Sequence, residues 1–279
     1  MQKRIEPFGK VVFIGAGPGD PELITVKAIK YLQKADIILT DRLVSRAILE
    51  EYVHPGAEII YVGKQCRKKQ STPQISINEL LVEKAKQFPL VVRLKGGDVS
   101  IFSNILDELE TLVEHHVDYE IIPGVTAALG AAAYAGIPLT ARNYANGVRF
   151  ITYYKADVIN QHYWNELAST SDTLVFYMSS ETLPEVVKHL KDAGIDEEKE
   201  IAVIEQGTTP YQNVYTSTFN DYNRILGTRQ FVSPSIIIIG KVVQLHDEFI
   251  WMTNAGSTES YFPEVNLSPE KEVNNVTRA

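Results

Sequence analysis

The chain has 279 residues, 44% apolar and 22% charged, with a net charge of −8 and a single cysteine, Cys66. That length suits one large or two modest domains with a full core. The acidic balance excludes a general binder of nucleic acid or anionic membrane, and one cysteine excludes a disulfide framework or thiolate metal cluster, so a metal-free protein of a reducing cytoplasm is expected.

Strand-like apolar runs appear in order at VVFI (11–14), DIILT (36–40), EIIYV (58–62), LVVRL (90–94) and YEIIP (119–123). Between them, residues 22–34 place Leu23, Val26, Ile29 and Leu32 on one helical face, and residues 103–116 do the same with Ile105, Leu109 and Leu112. Alternating strands and helices predict a largely parallel sheet covered on both faces, an N-terminal α/β lobe over 10–138. "GIPLTARNYANG" gathers Gly, Pro and Asn and predicts a linker at 139–147. A second α/β lobe over 148–251 follows, with strands at 148–154, 173–178, 200–206, 213–218 and 235–240 and helices near 181–193 and 219–227. A cleft between lobes is a favoured small-molecule site. Residues 252–279 are polar and aperiodic, which predicts a disordered tail. No run of about 18 apolar residues predicts a membrane span, residues 1–10 lack a leader pattern, and the histidines show no metal-ligand spacing.

The first strand runs into "GAGPGDPEL" (15–23). A dinucleotide fingerprint needs G-x-G-x-x-G. Gly15 and Gly17 fit it, but Asp20 occupies the third position. Pro18 and Pro21 also remove backbone donors that a phosphate cradle requires. Two readings stay open: a tight strand-to-helix turn with Asp20 capping and Pro21 at the first helical position, or a ligand loop of another kind.

Other strand ends carry similar punctuation: Asp41 in "ADIILTDRLVS", Lys64 in "YVGK", Gly96-Gly97-Asp98 in "VVRLKGGDVSIF", and "IIPGVTAALGAAAYAGIPLT" at 121–140. "LVFYMS" (174–179) and "EQGTTP" (205–210) punctuate the second half. Loops at the carboxyl ends of strands surround the ligand crevice of open α/β sheets. Together and in this order, over roughly residues 10–251, these stretches resemble the tetrapyrrole methylase family, in particular its branch that methylates uroporphyrinogen III.

The resemblance implies the fold of the class III methyltransferases: two α/β lobes with mostly parallel (mixed) sheets and the cofactor in the cleft between them, normally in a homodimer. It implies S-adenosylmethionine as methyl donor, S-adenosylhomocysteine as product, and uroporphyrinogen III as the substrate methylated at C2 and C7 to precorrin-2, for sirohaem or cobalamin. Cofactor contacts carry over to Pro18, Gly96, Gly97, Asp98, Ile101, Thr126, Ala127, Met178 and Gly207. Asp41 matches the proton acceptor and Lys64 the proton donor. Each has an ordinary structural reading as well: Gly96-Gly97 as a turn, Met178 as core, Thr126 as a helix cap, Asp41 as the cap of the helix that follows it. A polyanionic substrate on an acidic protein calls for local cations, for which Arg42, Arg67 and Arg142 are candidates, with Lys68, Lys69, Arg149 and Lys155 adding to the supply. The chain departs from the family pattern at 99–105, where a proline, glycines and an arginine are replaced. It departs again at Ala141, where histidine is usual, and near Tyr153-Tyr154, where Gly-His is usual. A same-fold methylase of another corrinoid precursor, and a non-catalytic binder of cofactor or porphyrinoid, remain as alternatives.

Overall fold

A computed structural model of the chain describes residues 8–62, 74–153 and 159–262, with 74–76 as backbone only. They fall into two compact units, one formed by the residues up to Thr126 together with Phe262 and the other spanning Ala127–Tyr261.

The first unit alternates strictly: β1 (Lys10–Gly15), α1 (Val26–Leu32), β2 (Ile37–Thr40), α2 (Arg46–Tyr52), β3 (Glu58–Tyr61), α3 (Gln74–Gln87), β4 (Leu90–Lys95), α4 (Ile105–Glu114) and β5 (Tyr119–Ile122). The sheet order is β3-β2-β4-β1-β5 and every pairing is parallel. Its central strands are apolar at nearly every position because both faces are covered. Val12, Ile14, Ile38, Val92 and Leu94 pack with α1 and α2 residues such as Ala28, Leu32 and Ile48. Val11, Phe13, Ile37, Leu39 and Val91 pack with α3 and α4 residues such as Leu81 and Leu112.

The helix expected over 22–34 differs from its sequence reading. Pro21–Leu23 form a separate 3-10 turn, and the Thr25 hydroxyl accepts the Ala28 N–H at 3.3 Å, which starts α1 only at Val26. This resets the buried face to Ile24, Ala28, Leu32 and Ala35, and leaves Val26 69% exposed.

The second unit comprises α5 (Ala127–Tyr134), β6 (Val148–Thr152), α6 (Gln161–Ser169), β7 (Thr173–Tyr177), α7 (Leu183–Asp192), β8 (Glu200–Glu205), β9 (Asn213–Thr218), α8 (Tyr222–Ile225), β10 (Ser235–Ile239) and α9 (His246–Phe249). Its sheet order is β6-β7-β10-β8-β9. Only β6–β7 is parallel, so the two sheets together are mixed. Trp164, Leu167, Phe176, Val186, Leu190 and Phe219 form its core.

The division between units precedes α5 rather than falling at 139–147. The hydrogen bonds of α5 explain this. Its Ala128 N–H donates to the Tyr177 hydroxyl at 3.1 Å, its Ala133 carbonyl accepts from Trp251 Nε1 at 2.9 Å, and the carbonyl of Ala135, the residue just past it, bonds His246 Nδ1 at 2.6 Å. Residues 141–145 close a small bridge of their own inside this unit. The stretch after Trp251 also differs from the expected disorder, within its described part. Its polar residues bond the backbone around β9, as with Asn254 and the Val214 N–H at 2.7 Å.

Candidate functional site

The loops that follow β1, β4 and β5 lock together, backbone on backbone. The Gly17 N–H donates to the Gly97 carbonyl at 3.1 Å, and the Gly97 N–H returns a bond to Gly17 at 2.7 Å. Both residues hold left-handed backbone, at φ 83° and 69°. A Cβ on Gly15 would lie 2.6 Å from the Gly124 nitrogen, and one on Gly124 would lie 2.4 Å from the Gly97 oxygen. These glycines therefore exist to let three loops interleave. Asp20 accepts the Glu22 N–H at 2.9 Å with Pro21 at the first helical position, so the tight-turn reading of this loop holds. Pro18 is half-buried within it.

Asp98 is occupied by its own surroundings. One oxygen accepts the Ser100 N–H at 2.8 Å and the Ser100 hydroxyl, and the other accepts the Gly124 N–H at 2.9 Å. The carboxylate thus pins the β4 loop to the β5 loop, and any ligand donor would share oxygens already engaged. In the divergent segment Val99 is buried and Ile101 half-buried. Phe102 and Asn104 adopt left-handed backbone at φ 50° and 54°, a strained conformation for side-chain-bearing residues. Thr126, just ahead of α5, is buried.

Asp41 does not cap α2; Ser45 holds that position. Its Oδ1 instead accepts a 2.7 Å bond from Arg93 Nη2. Arg93 Nε donates to Glu108 Oε1 at 2.9 Å, and Lys95 Nζ donates to Glu108 Oε2 at 2.8 Å. Arg93, Lys95 and Glu108 are buried, whereas the Asp41 side chain keeps 25% of its surface exposed. Burial pulls the Lys95 pKa down, and the Arg93 charge adds to that. Burial also works against the charge of Arg93, but Asp41 and Glu108 outweigh it and raise the pKa. Four charges of alternating sign thus run from the core under β4 to a partly open carboxylate.

Sequence reading missed Arg93, Lys95 and Glu108. A signal existed: Glu108 lies on the same stripe of α4 as Ile105 and Leu112, and Arg93 and Lys95 share one face of a buried strand. Arg42 is half-buried and Arg142 exposed. Arg149 leaves the supply of free cations, since it pairs with Asp172 at 2.9 Å and with Glu166. Lys64, Cys66, Arg67, Lys68, Lys69, Tyr154 and Lys155 lie outside the described residues.

In the second unit, Ala127 opens α5 and Gly207 packs against Ala131 of that helix. Tyr177, whose hydroxyl binds the Ala128 N–H, is followed by Met178, which has φ 55° and is 58% exposed. The core reading of Met178 is thereby corrected. A Cβ on Gly207 would fall 2.7 Å from the Ala131 Cβ of α5, which excludes a side chain there. Gln206 and Thr208 on either side have φ 49° and 68°. Such non-glycine conformations cost about 1–3 kcal/mol each and persist where surrounding structure enforces them.

Each unit presents specialised loops at the carboxyl ends of its strands, without a dinucleotide fingerprint, which defines an α/β protein with its loops where open sheets of this class hold small ligands. More particularly, the chain belongs to the tetrapyrrole (corrin/porphyrin) methylases, whose family model matches residues 10–222. A sirohaem synthase of Pseudomonas fluorescens (strain Pf0-1) is 44% identical over 247 residues, covering 88% of this chain and 53% of that protein. The chain spans about half the length of the curated relatives it matches. Among solved structures, a uroporphyrin-III C-methyl transferase from Thermus thermophilus complexed with S-adenyl homocysteine aligns with a TM-score of 0.72 and 32% identity, over 85% of this chain and 100% of that one. A cobalt precorrin-4 methyltransferase aligns with a TM-score of 0.74 and 29% identity, over 84% of this chain and 95% of that one. Among the described residues, no helix is long and apolar enough to cross a membrane.

Proposed function

We propose that the chain is an S-adenosylmethionine-dependent C-methyltransferase that converts uroporphyrinogen III to precorrin-2. The observation that carries this reading is the alignment with the whole length of the Thermus thermophilus methyltransferase bound to S-adenyl homocysteine. The reading extends to a homodimer acting in the cytoplasm, on the family resemblance.

The residues present suit such a cofactor. Met178 offers an exposed, adaptable apolar side chain to adenine or a thioether, and Gly207 presents bare backbone where a side chain would meet Ala131. On the family resemblance, Pro18, Gly96, Gly97, Asp98, Ile101, Thr126 and Ala127 are the further candidates for its contacts. Bound there, S-adenosylmethionine supplies an electrophilic methyl group on a sulfonium, whose charge disperses in the transition state. The chain then contributes alignment and exclusion of water. A carbon–carbon bond forms at the pyrrole-derived carbon, the sulfur–methyl bond breaks, and one proton leaves the macrocycle. Asp41 accepts that proton. It is partly exposed and held in place by Arg93. Lys64 is the corresponding donor, and Arg42, Arg67 and Arg142 hold substrate carboxylates, bidentately where geometry allows.

Incubation with S-adenosylmethionine and freshly prepared uroporphyrinogen III tests this. The expected products are S-adenosylhomocysteine and a macrocycle carrying two new methyl groups. Cofactor binding without methylated product overturns the enzyme. The strained 99–105 segment and the alignment with a cobalt precorrin-4 methyltransferase favour one second reading, a methylase of another corrinoid precursor. Turnover of such a precursor, with none of uroporphyrinogen III, would establish it.

A further inference from the structure

Residues 254–261 run as a strap beside the loop that carries Gly207, and three side-chain amides stitch the two together. Asn254 accepts the Val214 N–H at 2.7 Å and donates to the Val214 carbonyl at 3.1 Å. Asn213 accepts the Gly256 N–H at 2.9 Å and donates to the Ser257 carbonyl at 2.9 Å. Gln206 accepts the Tyr261 N–H at 2.6 Å and donates to the Glu259 carbonyl at 2.9 Å. Each amide thus uses donor and acceptor together on backbone, as a neighbouring strand would. The Ala255 N–H adds a bond to the Gln212 carbonyl at 2.9 Å, and the rings of Tyr211 and Tyr261 lie 5.6 Å apart. The family model ends at residue 222, so the strap lies beyond it.

Gln206 stands out among the three. It is fully buried and immediately precedes Gly207. Its φ of 49° is one that glycine would adopt without strain. A glutamine at such a position gains nothing for its own backbone; what it adds is the two-point grip on Glu259 and Tyr261. The other side of the loop is fixed separately, by the Thr208 N–H on Gln212 Oε1 at 2.8 Å and by Thr209 Oγ1 on the Gln206 carbonyl at 2.7 Å.

We propose that Gln206 is a positioning residue, which transfers the hold of the 254–261 strap to the Gly207 backbone and so sets affinity for the S-adenosyl group. This rests on the cofactor reading given above. In the wild-type chain, S-adenosylhomocysteine binding is measured by calorimetry. Gln206→Gly keeps the backbone conformation accessible and removes the grip. It is expected to weaken that binding about tenfold, the effect of losing two buried hydrogen bonds. Gln206→Ala should weaken it at least as much. Asn254→Ala leaves Gln206 intact and loosens the strap at its far end, with an expected loss of about threefold. In methyl transfer, KM for S-adenosylmethionine should rise in parallel, by more than kcat falls.

A Gln206→Gly variant that binds like wild type overturns the proposal, since the side chain then does nothing for the ligand. Wild-type binding by Asn254→Ala removes the strap from it and overturns it too. A fall in kcat with unchanged affinity would mark a merely structural role. Failure of the wild-type chain itself to bind S-adenosylhomocysteine overturns the cofactor reading, and this proposal with it; variants equal to a binding wild type overturn this proposal alone.

Discussion

At the scale of single residues, Asp41 is the open end of a chain of charges that the core closes off. Glu108 sits between two cations, Arg93 sits between two carboxylates, and only Asp41 keeps a side exposed. Buried ions are tolerated when paired and hydrogen-bonded, and removing one partner strands the other. Asp41→Asn is the informative change because an amide oxygen can still accept from Arg93 Nη2. The loop should therefore keep its place, while the site loses the proposed proton acceptor. We expect S-adenosylhomocysteine affinity within about twofold of wild type, since two hydrogen-bond acceptors of similar shape are exchanged. Methyl transfer should fall at least about a hundredfold, the usual contribution of a positioned base. Calorimetry and product formation read the two effects separately. A variant with full turnover would place the base elsewhere.

At the scale of elements, the edge strand β5 is fastened by electrostatics as well as by its ladder to β1. Glu120 on β5 meets Lys10 of β1 and Lys27 of α1, and it accepts the Tyr31 hydroxyl at 2.6 Å. The hydrogen bonds from Lys10, Lys27 and Tyr31 bring its pKa from 4.5 to about 2. A depressed carboxylate pKa contributes stability that is present above the unfolded value and lost as pH falls through the folded one. Glu120→Gln should therefore lower the thermal midpoint at neutral pH, and the gap to wild type should narrow between pH 4.5 and about 2. A gap that is constant with pH would assign the loss to packing. Much at this scale was legible in the sequence. The ten strands among the described residues all fall on strand-like stretches of the sequence, most plainly β1, β2, β4, β7, β8 and β10, whose buried positions leave a nearly continuous apolar run. Helix phase was less legible, as Val26 shows: a threonine cap and a 3-10 turn reset the register without changing composition. In the site, the loop glycines could be read as turns, but not that Gly15, Gly97 and Gly124 require one another. That mutual requirement, like the Arg93–Glu108 pairing, joins positions distant in sequence and depends on strand order.

At the scale of the whole molecule, the net charge of −8 opposes one proposed ligand and favours the other. Uroporphyrinogen III is a polycarboxylate, whereas S-adenosylmethionine carries net positive charge at neutral pH. Capture of the macrocycle then depends on local cations such as Arg42 and Arg142 working within an unfavourable long-range field. Salt separates the two contributions, because the screening length shrinks from about 30 Å at 0.01 M to about 10 Å at 0.1 M. Over that range the repulsion from distant carboxylates is removed first, while contacts at bonding distance are screened much less. KM for uroporphyrinogen III should therefore fall as salt rises from about 0.01 to 0.1 M, and KM for S-adenosylmethionine should rise, which initial-rate measurements at fixed pH would read. Opposite slopes are the signature of a field belonging to the whole protein. If KM for the macrocycle instead rises over the same range, a concentrated basic site governs capture, and the net charge plays no part in it.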